Sequence, residues 1–196
     1  MRLGFSEEAN AFMRWVRDRV DDCSETPAHL RILYSLRGQH HLPESSLDHL
    51  AGHGGAKPVR IGNEAHEQTQ LDIFGELLDA VYLANKYGEA ISHDGWKHVV
   101  GIVDQVCDSW RQKDVGIWEI RGEEQHFLHS RLMCWVALDR AIRLAQKRSL
   151  PAPFARWNDE RQAIHDDIWN NFWDQDCGHF VPVSYTHLRA HETSLH

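Results

Sequence analysis

The run Gly116-Ile117-Trp118-Glu119-Ile120-Arg121-Gly122 sets one carboxylate between an indole and a guanidinium, bounded by glycines. A loop of this kind aims a side chain into a cavity while flanking helices hold it still. An indole beside a glutamate suits an acid that protonates a sugar. The aromatic face packs on the pyranose, and an apolar wall favours the protonated carboxyl. On spacing alone a plainer reading stays open, in which Trp118 anchors a helix junction and Glu119 is solvated. Glu123 and Glu124 lie too close to Glu119 in sequence to face it across a sugar ring and read as solvated loop charges.

Strongly amphipathic segments must position this loop. Ser6-Glu7-Glu8 reads as a helix start, a hydroxyl cap with acidic residues in the first turn. Phe12, Met13, Val16 and Val20 then mark one face, and the helix ends near Asp22. Leu30 to Leu36 reads as extended, and Pro43-Glu44-Ser45 as the start of a short helix ending near Gly52. Residues 53–63, with Gly54, Gly55 and Pro58, read as an ordered loop. A helix is expected from Glu64 to Lys86, with Leu71, Phe74, Leu78, Val81 and Tyr82 on one face and a stop at Gly88. Ser92 caps a further helix whose apolar face runs from Trp96 through Val99, Val100, Val103, Val106 and Cys107 to Trp110. Beyond the Trp118-Glu119 loop, a helix from about Phe127 to Lys147 turns Met133, Val136, Ala137, Ala141 and Leu144 inward. A last helix, about Phe154 to Phe172, uses Trp157, Ile164, Ile168 and Trp169, and a turn at 176–179 leads into an extended stretch. The pattern is all-α, built of antiparallel helix pairs. If successive helices alternate up and down, the loops preceding residues 64 and 127 share one end of the stack. A cleft there would collect Arg60, Asn63, Trp118, Glu119 and Arg121.

With 196 residues, 42% of them hydrophobic, the chain has enough material for one sizeable core. A formal charge of −8 leaves no basic stripe to neutralise phosphates and argues against a nucleic-acid partner. Cys23, Cys107, Cys134 and Cys177 are far apart and read as free thiols of a reducing, cytoplasmic protein. No secretory signal is recognisable, and no apolar run reaches membrane-spanning length. Eight tryptophans are many for this length; cores absorb indoles, and so do sugar clefts.

Three blocks resemble the bacterial glucoamylase and trehalase group of glycoside hydrolase family 15. The first is Lys57-Pro58-Val59-Arg60-Ile61-Gly62-Asn63, continuing through Gln68, Gln70-Leu71-Asp72 and Gly75-Glu76. The second is the Gly116 to Gly122 run. The third is His126 to Met133 followed by Trp135 to Ala141. Their order and spacing hold over roughly residues 2–182. The resemblance implies part of an (α/α)6 barrel and an inverting hydrolase acting on trehalose or the non-reducing ends of α-glucans. It implies that Glu119 is the general acid, that Trp118 packs on the sugar, and that Arg121 binds a hydroxyl or orients the loop. Arg60, Asn63, Gln68 and Asp72 would line the first sugar subsite, although Arg60 and Asp72 could equally form an ion pair fixing the loop to its helix.

The departures set further expectations. The family's Trp-x-Arg-Asp segment would lie just before Arg2, and its water-activating carboxylate lies far downstream, in the last part of the barrel. Residues 1–182 thus read as an internal piece of the catalytic domain, inactive alone. Residues 183–196 read as an unrelated tail resembling translated adapter sequence. His187 and His191 at i,i+4 lack a third ligand, and His126 and His129 read as polar loop-to-helix groups, so neither a metal nor any other cofactor is expected. The competing reading is a non-catalytic helical module that binds a saccharide or a protein. The sequence leaves oligomeric state and the choice of α-glucoside open.

Overall fold

In the computed structural model of the chain, residues 5–22, 30–88, 90–120 and 122–184 are described. Five helices carry the fold: α1 (Ser6–Asp22), α2 (Asp72–Tyr87), α3 (His93–Ser109), α4 (Leu128–Arg148) and α5 (Phe154–Asn171). Two small antiparallel ladders accompany them. β1 (Ser45–Ser46) pairs with β2 (Arg60–Ile61), and β3 (Trp173–Asp174) pairs with β4 (His179–Phe180). No described helix is long and apolar enough to cross a membrane.

The helices sit as an all-α toroid segment demands. α2 and α4 run side by side in the same direction. At their N-terminal ends Asp72 meets His129, and farther along Asp79 pairs with Arg140. They approach so closely that a Cβ on Gly75 would run into the Met133 carbonyl oxygen. α5 returns antiparallel along α4, since Arg131 near the start of α4 pairs with Asp167, and Asp139 with Arg161. α1 and α3 flank α2. The periodic apolar faces account for this packing: Phe74 and Leu78 of α2, Val99, Val103 and Val106 of α3, Ala137, Leu138 and Ala141 of α4, and Trp157 and Ile164 of α5 form one continuous core.

Three buried tryptophans bring their indole N–H groups to acceptors, as burial requires. Trp96 donates to the Pro151 carbonyl (2.8 Å), Trp110 to Glu160 (2.7 Å) and Trp157 to Asp104 (3.1 Å). The rings of Trp96 and Trp157 meet edge to face. A buried carboxylate, Asp139, is compensated by three guanidiniums, those of Arg140, Arg143 and Arg161, at 2.7–3.3 Å.

The structure corrects several local expectations. The segment after Pro43 is not helical, because Ser45 and Ser46 pair with Ile61 and Arg60 across the loop. The helix expected from Glu64 is broken: a 3₁₀ turn spans Glu64–Glu67, Gln68 turns extended, and α2 starts only at Asp72. Trp169 faces outward, 47% exposed, and packs on Trp173 and Phe180 of the hairpin instead of the core. Where the chain reaches residue 183 it pairs with the approach to α4. Val183 bridges Phe127, and the Ser184 N–H donates to the His126 carbonyl (3.0 Å). Residues 185–196, with His187 and His191, and Cys23 lie outside the described residues.

Candidate active site

The loop that carries Glu119 is closed at its neck. Asp114 and Gln125 exchange both backbone hydrogen bonds, at 2.9 and 2.8 Å, so residues 115–124 leave and return at one point. The Asp114 side chain fastens that neck to the inner helices. It is 1% exposed, and its Oδ2 accepts from the Leu71 N–H (2.9 Å) and the Ser130 hydroxyl (2.6 Å). One carboxylate thereby joins the chain just before α2 to the first turn of α4. Two further bonds bring the loop against residues 68–69. The Val115 N–H donates to the Thr69 carbonyl (3.3 Å), and Gln68 Nε2 donates to the Ile120 carbonyl (3.4 Å).

Gly116 begins the loop with φ +64, and its α-carbon lies against the Phe127 ring, where a Cβ would clash. Glu119 itself has φ +49, a left-handed conformation that a glutamate adopts only under constraint. Its N–H donates back to the Gly116 carbonyl (3.3 Å).

Together these segments enclose a cleft of about 360 Å³ lined by Asn63, Glu64, Ala65, Gln68, Val115, Glu119, Ile120, Gly122 and Glu124. The two loops expected at one end of the stack therefore meet, and three expected residues share the wall: Asn63, Gln68 and Glu119. The Asn63 Oδ1 caps the Ala65 N–H (2.9 Å). Gln68 gives its NH2 to Ile120, and its buried Oε1 has no hydrogen-bond partner among the described residues. The carboxamide residues Asn63 and Gln68 thus share one wall.

Other expected residues sit elsewhere. Arg60 pairs with Glu44 at 3.2 Å, away from the cleft. Asp72 is buried at the α2 terminus, 3.3 Å from His129, so it forms neither a cleft wall nor an ion pair with Arg60. Burial pushes the Asp72 carboxyl above the usual carboxylate range, and His129 partly opposes that rise. Trp118 is 79% exposed beside the cleft and is not one of its lining residues. Arg121 lies outside the described residues. His126 does join loop to helix, because Arg131 NH2 donates to its Nδ1 (2.6 Å). Burial, then the Arg131 charge, holds His126 below the ordinary histidine range.

Sequence reasoning missed Asp114, and Glu124 as a lining residue. Asp114 carries no periodic signal. Its only mark is a single acidic residue between Lys113 and Val115 at the foot of a glycine-bounded loop.

The family model described as glycosyl hydrolases family 15 matches residues 1–194. The chain belongs to that family. Among family relatives, the trehalase of Mycobacterium tuberculosis is 40% identical over 167 residues, covering 85% of this chain and 24% of the relative. Trehalase 2 of Sulfolobus acidocaldarius is 42% identical over 151 residues, 76% of this chain and 26% of the relative. The trehalase of Thermoplasma acidophilum is 31% identical over 169 residues, 86% and 28%. The chain spans about a quarter of the length of the curated relatives it matches. No solved structure matches it significantly.

Proposed function

We propose that the protein hydrolyses an α-glucoside, trehalose first among them, with inversion, and that Glu119 is the general acid. The observation that carries this reading is the placement of Glu119. It stands in a constrained backbone conformation on the wall of a cleft shared with the carboxamides of Asn63 and Gln68. The names of the relatives, all trehalases, favour trehalose as substrate.

In this reading Glu119 gives its proton to the glycosidic oxygen as the bond to the anomeric carbon breaks. A water attacks that carbon from the opposite face and passes its proton to a second carboxylate. In an inverting site the two carboxyls stand about 6.5–9.5 Å apart. The resemblance puts that base in a later part of the barrel, so residues 1–196 alone are expected not to turn over. Asn63 and Gln68 bind hydroxyls of the first sugar. Trp118, exposed at the cleft mouth, offers an indole face to the pyranose. Arg121 orients the loop or a hydroxyl. Arg60 and Asp72, which the resemblance puts at the same subsite, act by positioning through Glu44 and His129. The buried thiols of Cys107 and Cys134 agree with a cytoplasmic location.

The test is anomer-resolved NMR of trehalose cleavage by the full-length protein. Inversion turns the attacked half into β-glucose, while the leaving half keeps its α configuration. Glu119→Gln is expected to slow turnover by about 10²–10⁴-fold, the contribution of general acid–base catalysis, while substrate still binds. Glu124→Gln is expected to keep most activity. Full turnover in Glu119→Gln, or two α-glucose products, overturns the assignment.

A further inference from the structure

Beside the cleft, on the far side of the 3₁₀ turn Glu64–Glu67, three potential metal ligands converge. The ligand atoms of His41, His66 and Glu67 all lie within 4.8 Å of one another. His66 is the centre of the group. It is 6% exposed, and its ring meets the His41 ring edge to face with centroids 5.2 Å apart.

The hydrogen bond of His66 fixes its tautomer. Its Nδ1 lies 2.8 Å from the Asn63 carbonyl oxygen, which can only accept, so Nδ1 carries the proton. In the neutral ring Nε2 is then a bare lone pair. It is buried without a hydrogen-bond partner among the described residues and lies 3.6 Å from Glu67 Oε1. A lone pair held against a carboxylate oxygen is unfavourable unless something positive lies between them. A backbone carbonyl holding Nδ1–H is also how proteins orient metal-binding imidazoles.

We propose that His41, His66 and Glu67 bind one divalent transition-metal ion of the zinc type. Bond lengths of about 2.0–2.2 Å and a tetrahedral angle put neighbouring ligand atoms about 3.4 Å apart, close to the His66–Glu67 separation. His41 and Glu67 are exposed and can close the remaining gap. Two imidazoles and one carboxylate suit zinc, cobalt or nickel, and they discriminate against magnesium and calcium, which take oxygen ligands. Three protein ligands leave a position for water. The ion would clamp residues 63–68, which include Asn63 and Gln68 of the cleft wall, to the strand of chain at His41 and Leu42. The Leu42 carbonyl already accepts the Asn63 N–H (2.9 Å). The binding test below reads metal directly, so its outcome is independent of the hydrolytic reading.

The experiment is zinc titration of the chelator-treated, full-length protein in competition with a chromophoric chelator. Cobalt absorption serves as a second readout of the coordination geometry. One tight ion per chain is expected, unaffected by excess magnesium. His41→Gln and Glu67→Gln, both at exposed positions, are expected to weaken it at least tenfold, and His66→Gln further still. His49→Ala, at an exposed histidine outside the group, is expected to bind as the parent does. Wild-type affinity in His41→Gln and Glu67→Gln overturns the site. So does a His66 imidazole that nitrogen NMR shows doubly protonated at neutral pH and unmoved by zinc.

Discussion

Replacing Asp114 by alanine tests whether one carboxylate holds the Glu119 loop in place. The change deletes an acceptor for two buried donors, the Leu71 N–H and the Ser130 hydroxyl. Hydrogen bonds to a charged group contribute about 1.5–3 kcal/mol each. Removing the carboxylate also removes the cost of burying it, so the net loss is expected near 3 kcal/mol and not at the 6 kcal/mol upper sum. If the neck opens as a local unit, a 3 kcal/mol loss accelerates exchange of the Asp114 and Gln125 amides roughly 150-fold. Native-state hydrogen exchange on the full-length protein measures this directly. Asp114→Asn keeps an acceptor without the charge and is expected to lose about half as much. A double-mutant cycle with Ser130→Ala should return a coupling of about 1–2 kcal/mol. Exchange at the neck within threefold of the parent, or zero coupling to Ser130, would refute the assignment of Asp114 as the fastening.

Three other outcomes follow from the geometry. The Asp72 carboxyl is raised by burial, so the folded state binds its proton more tightly than the unfolded chain does. Its contribution to stability therefore falls as pH climbs from about 3.9, the unfolded value, through the raised folded value. Asp72→Asn is expected to lessen that decline in urea midpoints collected from pH 4 to 7; a parallel pair of pH curves contradicts it. Gly75→Ala forces α2 away from the Met133 carbonyl and should cost about 1–3 kcal/mol, read as a lower thermal midpoint, whereas an unchanged midpoint means that the helices are not in contact there. Burial pushes the Cys134 thiol up to about 12 and Cys107 up to about 11. Both should resist alkylation until the protein unfolds, and mass-resolved labelling of either in the native state would contradict the packing of α3 and α4.

Helix periodicity carried most of the architecture. The faces of α2, α3, α4 and α5 were legible because each repeats apolar residues at helical spacing, and Ser92 caps α3 through its hydroxyl as its position implies. What failed were segments decided by partners distant in sequence. Ser45 and Ser46 have no strand signature and become a strand only by pairing with Arg60 and Ile61. Residues 64–71 have helical composition, yet the chain turns extended at Gln68, where the Gln68 amide reaches Ile120 and the Thr69 carbonyl accepts from Val115. Trp169 fits the apolar stripe of α5 but finds a better surface on the hairpin aromatics. For the candidate site, the Gly-bounded loop and the Asn63 and Gln68 side chains were visible in the sequence. The placements of Arg60 and Asp72 were not, because they depend on Glu44 and His129, whose proximity no local pattern encodes.

The closed neck at Asp114 and Gln125 also separates framework from variation. Two residues that exchange both backbone bonds hold their α-carbons about 5.5 Å apart whatever chain lies between them. A longer or shorter tip would be grafted onto the same two fixed posts. Doubling a flexible loop adds only about 0.6 kcal/mol of closure entropy. The stretch between these posts can thus change in length at little cost to the inner helices, provided that the tethers of Val115 to Thr69 and of Ile120 to Gln68 are kept.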